Sequence, residues 1–152
     1  MSRSNRKITL GLDLARRWGW CIFAEGQYLK SGSGCKSNMN TFKRAIFDII
    51  ADGNVTEIVI EKPARFYNSI VAISKLSGVV EELGDRYWAH TGDNLIPVTY
   101  MANTQAKKAM GLKPPYSKQK MIDAVNLKFG LEIEDDNEAD SIALTFAYVQ
   151  NS

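Results

Sequence analysis

The sequence predicts an α/β domain: a five-stranded mixed sheet flanked by helices on both faces. Three observations carry that expectation. Three β-type runs follow one another near the N-terminus, separated by tight turns, as in a meander. From about residue 41 onward, helical and strand patterns alternate and then give way to helices, an order that suits a mixed sheet covered on both sides. The first strand is apolar at nearly every position, which places it in the middle of the sheet.

Taken in order, residues 6–14 form that central strand, and 18–24 (Trp18-Gly19-Trp20-Cys21-Ile22-Phe23-Ala24) form an aromatic, β-branched second one. Glu25-Gly26-Gln27 is a tight turn, and 28–33 completes the meander, with Ser31-Gly32-Ser33-Gly34 as the loop that punctuates it. Asn40 or Thr41 caps a helix through about Ala51, with Phe42, Ala45, Ile46 and Ile49 on one face. The fourth strand is 56–61, stopped by Pro63. A long helix is expected over 68–89, with a stripe of Ile70, Ile73, Leu76, Val79, Val80 and Leu83. The fifth strand is 95–101, and a short helix over 103–110 is closed by Gly111. Ser117 caps a helix through Lys128 that Gly130 stops, and the last helix runs from near Asp135 to about Gln150. No repeat or linker divides the chain, so 1–152 reads as a single domain.

Composition narrows the function classes. Hydrophobic residues at 45% and charged residues at 24% are those of a soluble globular protein, and no apolar run reaches the ~18 residues of a membrane span. The basic N-terminus lacks the apolar core of a signal peptide. Cys21 and Cys35 read as reduced thiols, which points to a cytoplasmic location. With His90 the sole histidine and no paired cysteines, zinc chemistry is not expected. Net charge is only +2, but cations gather at Arg3 to Lys7, Arg16-Arg17, Lys43-Arg44 and Lys107 through Lys120, while acids concentrate at 132–140. A basic rim around an acidic centre suits a phosphodiester-cutting site, although composition alone favours a solvated surface of mixed charge.

Four acids fall at informative places: Asp13, Glu61, Asp136 and Asp140. Asp13 sits in the apolar run Leu10-Gly11-Leu12-Asp13-Leu14 and shares a strand face with Gly11 and Ala15. Glu61 ends Ile58-Val59-Ile60-Glu61, at a strand's carboxyl end, where ligands gather in open α/β sheets. Asp136 and Asp140 lie one turn apart on one helix face. Singly, each has a plain structural reading: a strand-end acid paired with Arg16, a solvated strand end, and acids capping a helix. Together they form the hard-oxygen donor set of Mg²⁺ or Mn²⁺, and a pair of such ions roughly 4 Å apart can serve both the attacking and leaving oxygens of a phosphodiester.

The segment Leu10-Gly11-Leu12-Asp13-Leu14-Ala15 with Trp18-Gly19-Trp20 resembles the first motif of the RuvC-type Holliday junction resolvases. Ile58-Val59-Ile60-Glu61-Lys62-Pro63 resembles their second acidic motif, and Asn137-Glu138-Ala139-Asp140-Ser141-Ile142-Ala143-Leu144 their last. Gln105 through Gly111 and Ser117 through Met121 resemble the two lysine-bearing segments of that family. The likeness runs through nearly the whole chain in order and is greatest to phage-encoded members. It implies an RNase H-like fold, a homodimer, and Mg²⁺-dependent paired nicking of four-way DNA junctions, in the host cytoplasm if the chain is phage-encoded. It implies that Asp13, Glu61 and Asp140 are catalytic metal ligands. The family's slot for a further ligand, three residues before the final Asp, holds Asn137 here, and Asp136 one position earlier is the expected substitute. Lys118 matches the catalytic lysine near the scissile phosphate, and Lys107 or Lys108 the other.

Further DNA contacts are expected from Arg16, Arg17 and Lys120, and from Phe66 or Tyr67 stacking on an unpaired base; these rings serve equally well as loop staples. The helix over 68–89 resembles the family's dimerisation helix, and simple core packing would account for the same stripe. Trp18 and Trp20 read as core and edge packing. The competing functions are an RNase H-like ribonuclease on RNA or RNA–DNA hybrid, which requires 2′-hydroxyl recognition, and a junction-binding protein without catalysis. An actin-like kinase would need a second half that 152 residues do not supply.

Overall fold

In the computed structural model, residues 6–15, 17–35, 38–62, 77–85 and 96–151 are described. Arg16, Phe66, Tyr67 and His90, together with the flanks of the helix expected over 68–89, lie outside them. The strands are β1 (Ile8–Asp13), β2 (Arg17–Ala24), β3 (Gln27–Cys35), β4 (Glu57–Glu61) and β5 (Val98–Met101). The helices are α1 (Met39–Gly53), α2 over 77–85, α3 (Asn103–Ala109), α4 (Lys118–Phe129) and α5 (Asp136–Gln150). One five-stranded sheet has the order β3-β2-β1-β4-β5. β1 pairs antiparallel with β2 and parallel with β4, and β4 pairs parallel with β5, so the sheet is mixed and β1 is central. All six residues of β1 are buried, as its apolar run requires.

Alternation along the strands separates two cores. Leu10, Leu12, Ile22, Ile58 and Ile60 face α1 and α2. Cys21, Phe23, Val59 and Met101 face α3, α4 and α5. Thr9, Gly11 and Asp13 share the second face, because side chains alternate along a strand. Within α2, Val80 and Leu83 pack into the first core, and the face turned outward carries Gly78, Glu81, Glu82 and Asp85. That part of the stripe belongs to the chain's own core.

Two local expectations change. β3 continues through Gly32 and Gly34 to Cys35, where a loop was expected. Trp20 stands opposite Gly32 and Trp18 opposite Gly34, and a Cβ on either glycine would meet the indole ring. The rings cover the glycines and hold the strand that glycine alone would weaken. The cap of α1 is Asn38, not Asn40 or Thr41: its Oδ1 accepts from the Thr41 N–H at 2.8 Å and from the Thr41 hydroxyl at 3.0 Å. Ser117 caps α4, and Gly130 closes it at φ 67°. Glu25 and Gly26 both adopt positive φ, as a two-residue hairpin turn demands. Among the described residues no helix is long and apolar enough to cross a membrane.

The position of α5 is set by two glycines. A Cβ on Gly11 would come within 2.9 Å of Thr145 Cβ, and one on Gly19 within 2.8 Å of the Glu138 nitrogen and closer still to the Asn137 carbonyl. The first turn of the helix therefore rests on Gly19 at backbone contact, and further along the Thr145 side chain fills the space over Gly11. Gly19→Ala must displace main chain and is expected to destabilise the fold by about 1–3 kcal/mol. Gly84→Ala, where the added carbon meets only Ile96 at 3.8 Å, is expected to be neutral or stabilising, both variants being compared with the parent chain by urea unfolding.

Candidate active site

The parallel strands β1 and β4 end at the same edge of the sheet, and that edge carries Asp13 and Glu61. Gly19 is the register partner of Asp13 across the antiparallel pair. Because the first turn of α5 rests on Gly19, the helix delivers Asp136 and Asp140 to the same place. Capping of α5 falls to Asp135, whose Oδ1 accepts from the Glu138 N–H at 2.8 Å. Asp136 and Asp140 are thus not needed as caps.

The four carboxylates act on one another electrically. Burial, then the charge of Glu61 and a hydrogen bond with it, then the charges of Asp140 and Asp136, push the Asp13 carboxyl up to about 9. Asp13 is only 8% exposed, so a lone carboxylate there would lack hydration. Asp140 rises to about 7, by burial and by Glu61 and Asp136, against the lowering influence of Lys107 and Lys118. Near neutral pH the hydrogen-bonded Asp13–Glu61 pair accordingly favours holding one proton between them.

The cationic side of the site comes from α3 and α4. Lys107 is half-buried and faces Asp140, whereas Lys108 is exposed. Lys118 opens α4 and lies 3.4 Å from the Asp136 carboxylate, with 81% of its side chain open to solvent. Lys120 is exposed, and its ammonium donates to the Pro115 carbonyl at 2.6 Å. Arg17 is exposed at the start of β2, on the edge where β1 ends. Asn137 lies with its carbonyl over Gly19.

Several participants are not apparent from the sequence. Asn103, the first residue of α3, donates its side-chain amide to Glu61 Oε1. A cleft of about 290 Å³ is lined by Asn103, Lys107, Tyr116, Lys118 and Asp140 over an apolar base of Leu112 and Met121. Of the four acids only Asp140 lines it; Asn103 on its wall is bonded to Glu61, and Glu61 to Asp13. Glu138 is tied elsewhere, accepting from the Ser31 hydroxyl at 2.6 Å and so joining α5 to β3. The sole signal for Asn103 in the sequence is its place directly after a strand's carboxyl end.

The donor set, hard carboxylate oxygens with neighbouring amide and ammonium groups, fits a divalent cation of the Mg²⁺ class. Among the described residues no three Asp, Glu, His or Cys side chains stand close enough together, as placed, to hold a metal ion. The acids are held instead by the Asp13–Glu61 hydrogen bond and the Asp136–Lys118 ion pair.

Solved structures of similar fold include junction resolvases. Thermus thermophilus RuvC matches at TM-score 0.71 and 15% identity, over 93% of this chain and 93% of that one. T. thermophilus RuvC in complex with Holliday junction substrate matches at TM-score 0.71 and 14% identity, over 94% and 92%. Fowlpox virus resolvase, in its complex with substrate Holliday junction DNA, matches at TM-score 0.62 and 13% identity, over 95% and 97%. The chain has the fold of the RuvC-type resolvases. No protein-family model and no curated protein matches its sequence. Within the RuvC-type fold, the sheet edge that carries Asp13 and Glu61 is the edge onto which α5 brings its acids.

The raised Asp13 carboxyl has a sign that can be checked. Its ordinary value is 3.8, so its contribution to stability is whole below about pH 4 and is lost as pH rises towards about 9. Asp140 adds to the loss up to about 7. In EDTA the melting temperature is therefore expected to fall between pH 5 and 9. Asp13→Asn, which keeps an amide beside Glu61 without a charge, is expected to melt higher than the parent chain at pH 8 and to flatten that slope.

Proposed function

We propose that this chain is a RuvC-type endonuclease that resolves four-way and related branched DNA by metal-dependent paired nicking, leaving 5′-phosphate and 3′-hydroxyl ends. The observation that carries the proposal is the convergence of Asp13, Glu61, Asp136 and Asp140 from two strands and one helix, in a fold that resolvases share. Burial and the mutual charge of these acids raise Asp13 and Asp140, and Lys107 and Lys118 oppose this only in part, at Asp140; bound Mg²⁺, or Mn²⁺ in its place, would relieve the imbalance.

Asp13, Glu61, Asp136 and Asp140 would hold the metal, Asp136 taking the position that Asn137 leaves without a carboxylate. The bound ions supply Lewis acidity and lower the pKa of water at the scissile phosphate. Asn103 orients Glu61 through its amide. Lys118, exposed and one side chain away from the acids, stabilises charge developing on the phosphate. Lys107 holds the phosphate at the cleft, with Arg17 and Lys108 on the approach to it. Two copies of the chain would present two sites to the opposed strands of a junction. Their contact is proposed along the helix expected over 68–89.

The test is a synthetic four-way junction, a linear duplex and an RNA–DNA hybrid, each incubated with Mg²⁺ or EDTA. Paired nicks in the junction alone, abolished by EDTA, are expected; cleavage confined to the hybrid would establish the ribonuclease instead. Asp13→Asn should abolish cutting and retain junction binding, because phosphate contacts by Lys and Arg carry most of the affinity. Junction binding by the parent chain without cutting in either Mg²⁺ or Mn²⁺ would favour a non-catalytic junction binder.

Lys118→Ala separates chemistry from stability. Its ion pair is exposed, so removal should change unfolding free energy by less than about 1 kcal/mol. Single-turnover cleavage of the junction should fall roughly 10²–10³-fold.

A further inference from the structure

The loop between α3 and α4, over 110–117, carries an aromatic residue that the proposed chemistry does not use. Tyr116 is 43% exposed, one of three large hydrophobic residues so open among those described, with Leu29 and Leu127. Unlike those two, it lines the cleft that also holds Asp140, Lys107 and Lys118. The Lys107 ammonium stands 4.4 Å from the centre of its ring, an attractive cation–π placement that holds the ring against α3. The chain on either side is also held: Lys120 binds the Pro115 carbonyl at 2.6 Å, and Ser117 caps α4 through the Lys120 N–H at 3.1 Å. An exposed ring kept in one place beside two cations and a carboxylate combines the elements that bind a nucleotide: a π-face for the base and ammonium groups for its phosphate.

We propose that Tyr116 forms a base-stacking subsite, which takes an unpaired nucleobase next to the phosphate held at Lys107 and Lys118. The proposal rests on the reading of this cleft as a nuclease site. The ligand class is a single-stranded nucleotide of branched DNA, since a base within a duplex has its faces already occupied by its neighbours. The ring is sequence-tolerant, because every base presents a π-face. The cation on the ring ties the stacking subsite to the phosphate contact, so that a base seated on Tyr116 fixes which phosphate faces Asp140.

The experiment measures junction affinity without turnover, in the Asp13→Asn background with Ca²⁺, for Tyr116, Tyr116→Phe and Tyr116→Leu. Each is tested on an intact four-way junction and on junctions bearing one abasic position at each nucleotide around the crossover. Tyr116→Leu is expected to weaken binding of the intact junction about 5- to 150-fold, with Tyr116→Phe retaining it. At one abasic position the difference between Tyr116 and Tyr116→Leu should vanish. A 2-aminopurine at that position should lose fluorescence on binding the Tyr and Phe forms and not the Leu form. If Tyr116→Leu weakens every abasic junction as much as the intact one, the ring merely positions Lys107 and the subsite is refuted. Equal affinity of all three variants for the intact junction refutes it as well, while leaving the nuclease reading intact. Failure of the nuclease reading shows separately, as absence of junction cutting by the parent chain in Mg²⁺ and Mn²⁺.

Discussion

The arrangement of this molecule depends on how closely α5 lies on the sheet. At Gly19 the helix backbone meets the strand with no side chain between them, and at Gly11 only the small Thr145 side chain intervenes. A helix that rested on ordinary side chains would stand further off, and Asp136 and Asp140 would be lifted away from Asp13. The contact explains a feature of β1 and β2 that strand propensity opposes, namely glycine in the middle of a sheet. Gly19 stands opposite Asp13 in the register, so the closest approach of the helix falls beside the acid it must reach.

That closeness has a cost in stability. Asp13 is buried beside Glu61, with two more acids on the helix above, and the carboxyl answers by holding its proton far above the ordinary range. Lys107 and Lys118 act on Asp140, nearer the cleft, and the elevation there is smaller. The site is therefore graded, from a protonated acid within to one poised near neutrality at the opening. The rest of the fold supports this concentration of charge with two packed cores, one on each face of the sheet. Local instability at a site, offset by well-formed packing elsewhere, is the usual sign that a constellation serves something other than folding.

Much of this was legible from the residues alone. The succession of strands and helices, the central place of β1, the Ser117 cap and the Gly130 stop follow from periodicity and capping chemistry that act within a few residues. Asp13 and Glu61 stood out because a carboxylate in an apolar strand is anomalous, and Asp136 and Asp140 because their spacing sets them on one helix face. Apart from the α1 cap, which lies two residues earlier than expected, what escaped depends on a partner distant in sequence. β3 looked broken at Gly32 and Gly34, because the rings that complete it belong to Trp20 and Trp18 on another strand. Asn103 reads as an ordinary helix-start residue, and its amide instead goes to Glu61, 42 positions earlier. Lys107 and Lys108 could not be separated from spacing, since only the packing of Ala106 into the core decides which of them turns to the cleft.

The acidic and cationic walls of the site sit on different elements yet share one foundation. Ala106 of α3, Met121 and Val125 of α4, and Ala139 and Ala143 of α5 pack into a single cluster with Val59 and Met101 of the sheet. The separation of Lys107 and Lys118 from Asp140 is consequently a property of that core rather than of the loop joining α3 to α4. A close-packed interior transmits small changes in volume. A substitution at Val125 or Ala143, touching no charged group, would shift one wall against the other and alter the field at Asp140. The electrostatics of the cleft and the packing beneath it are in this sense one constraint, expressed at the surface as charge and in the interior as volume.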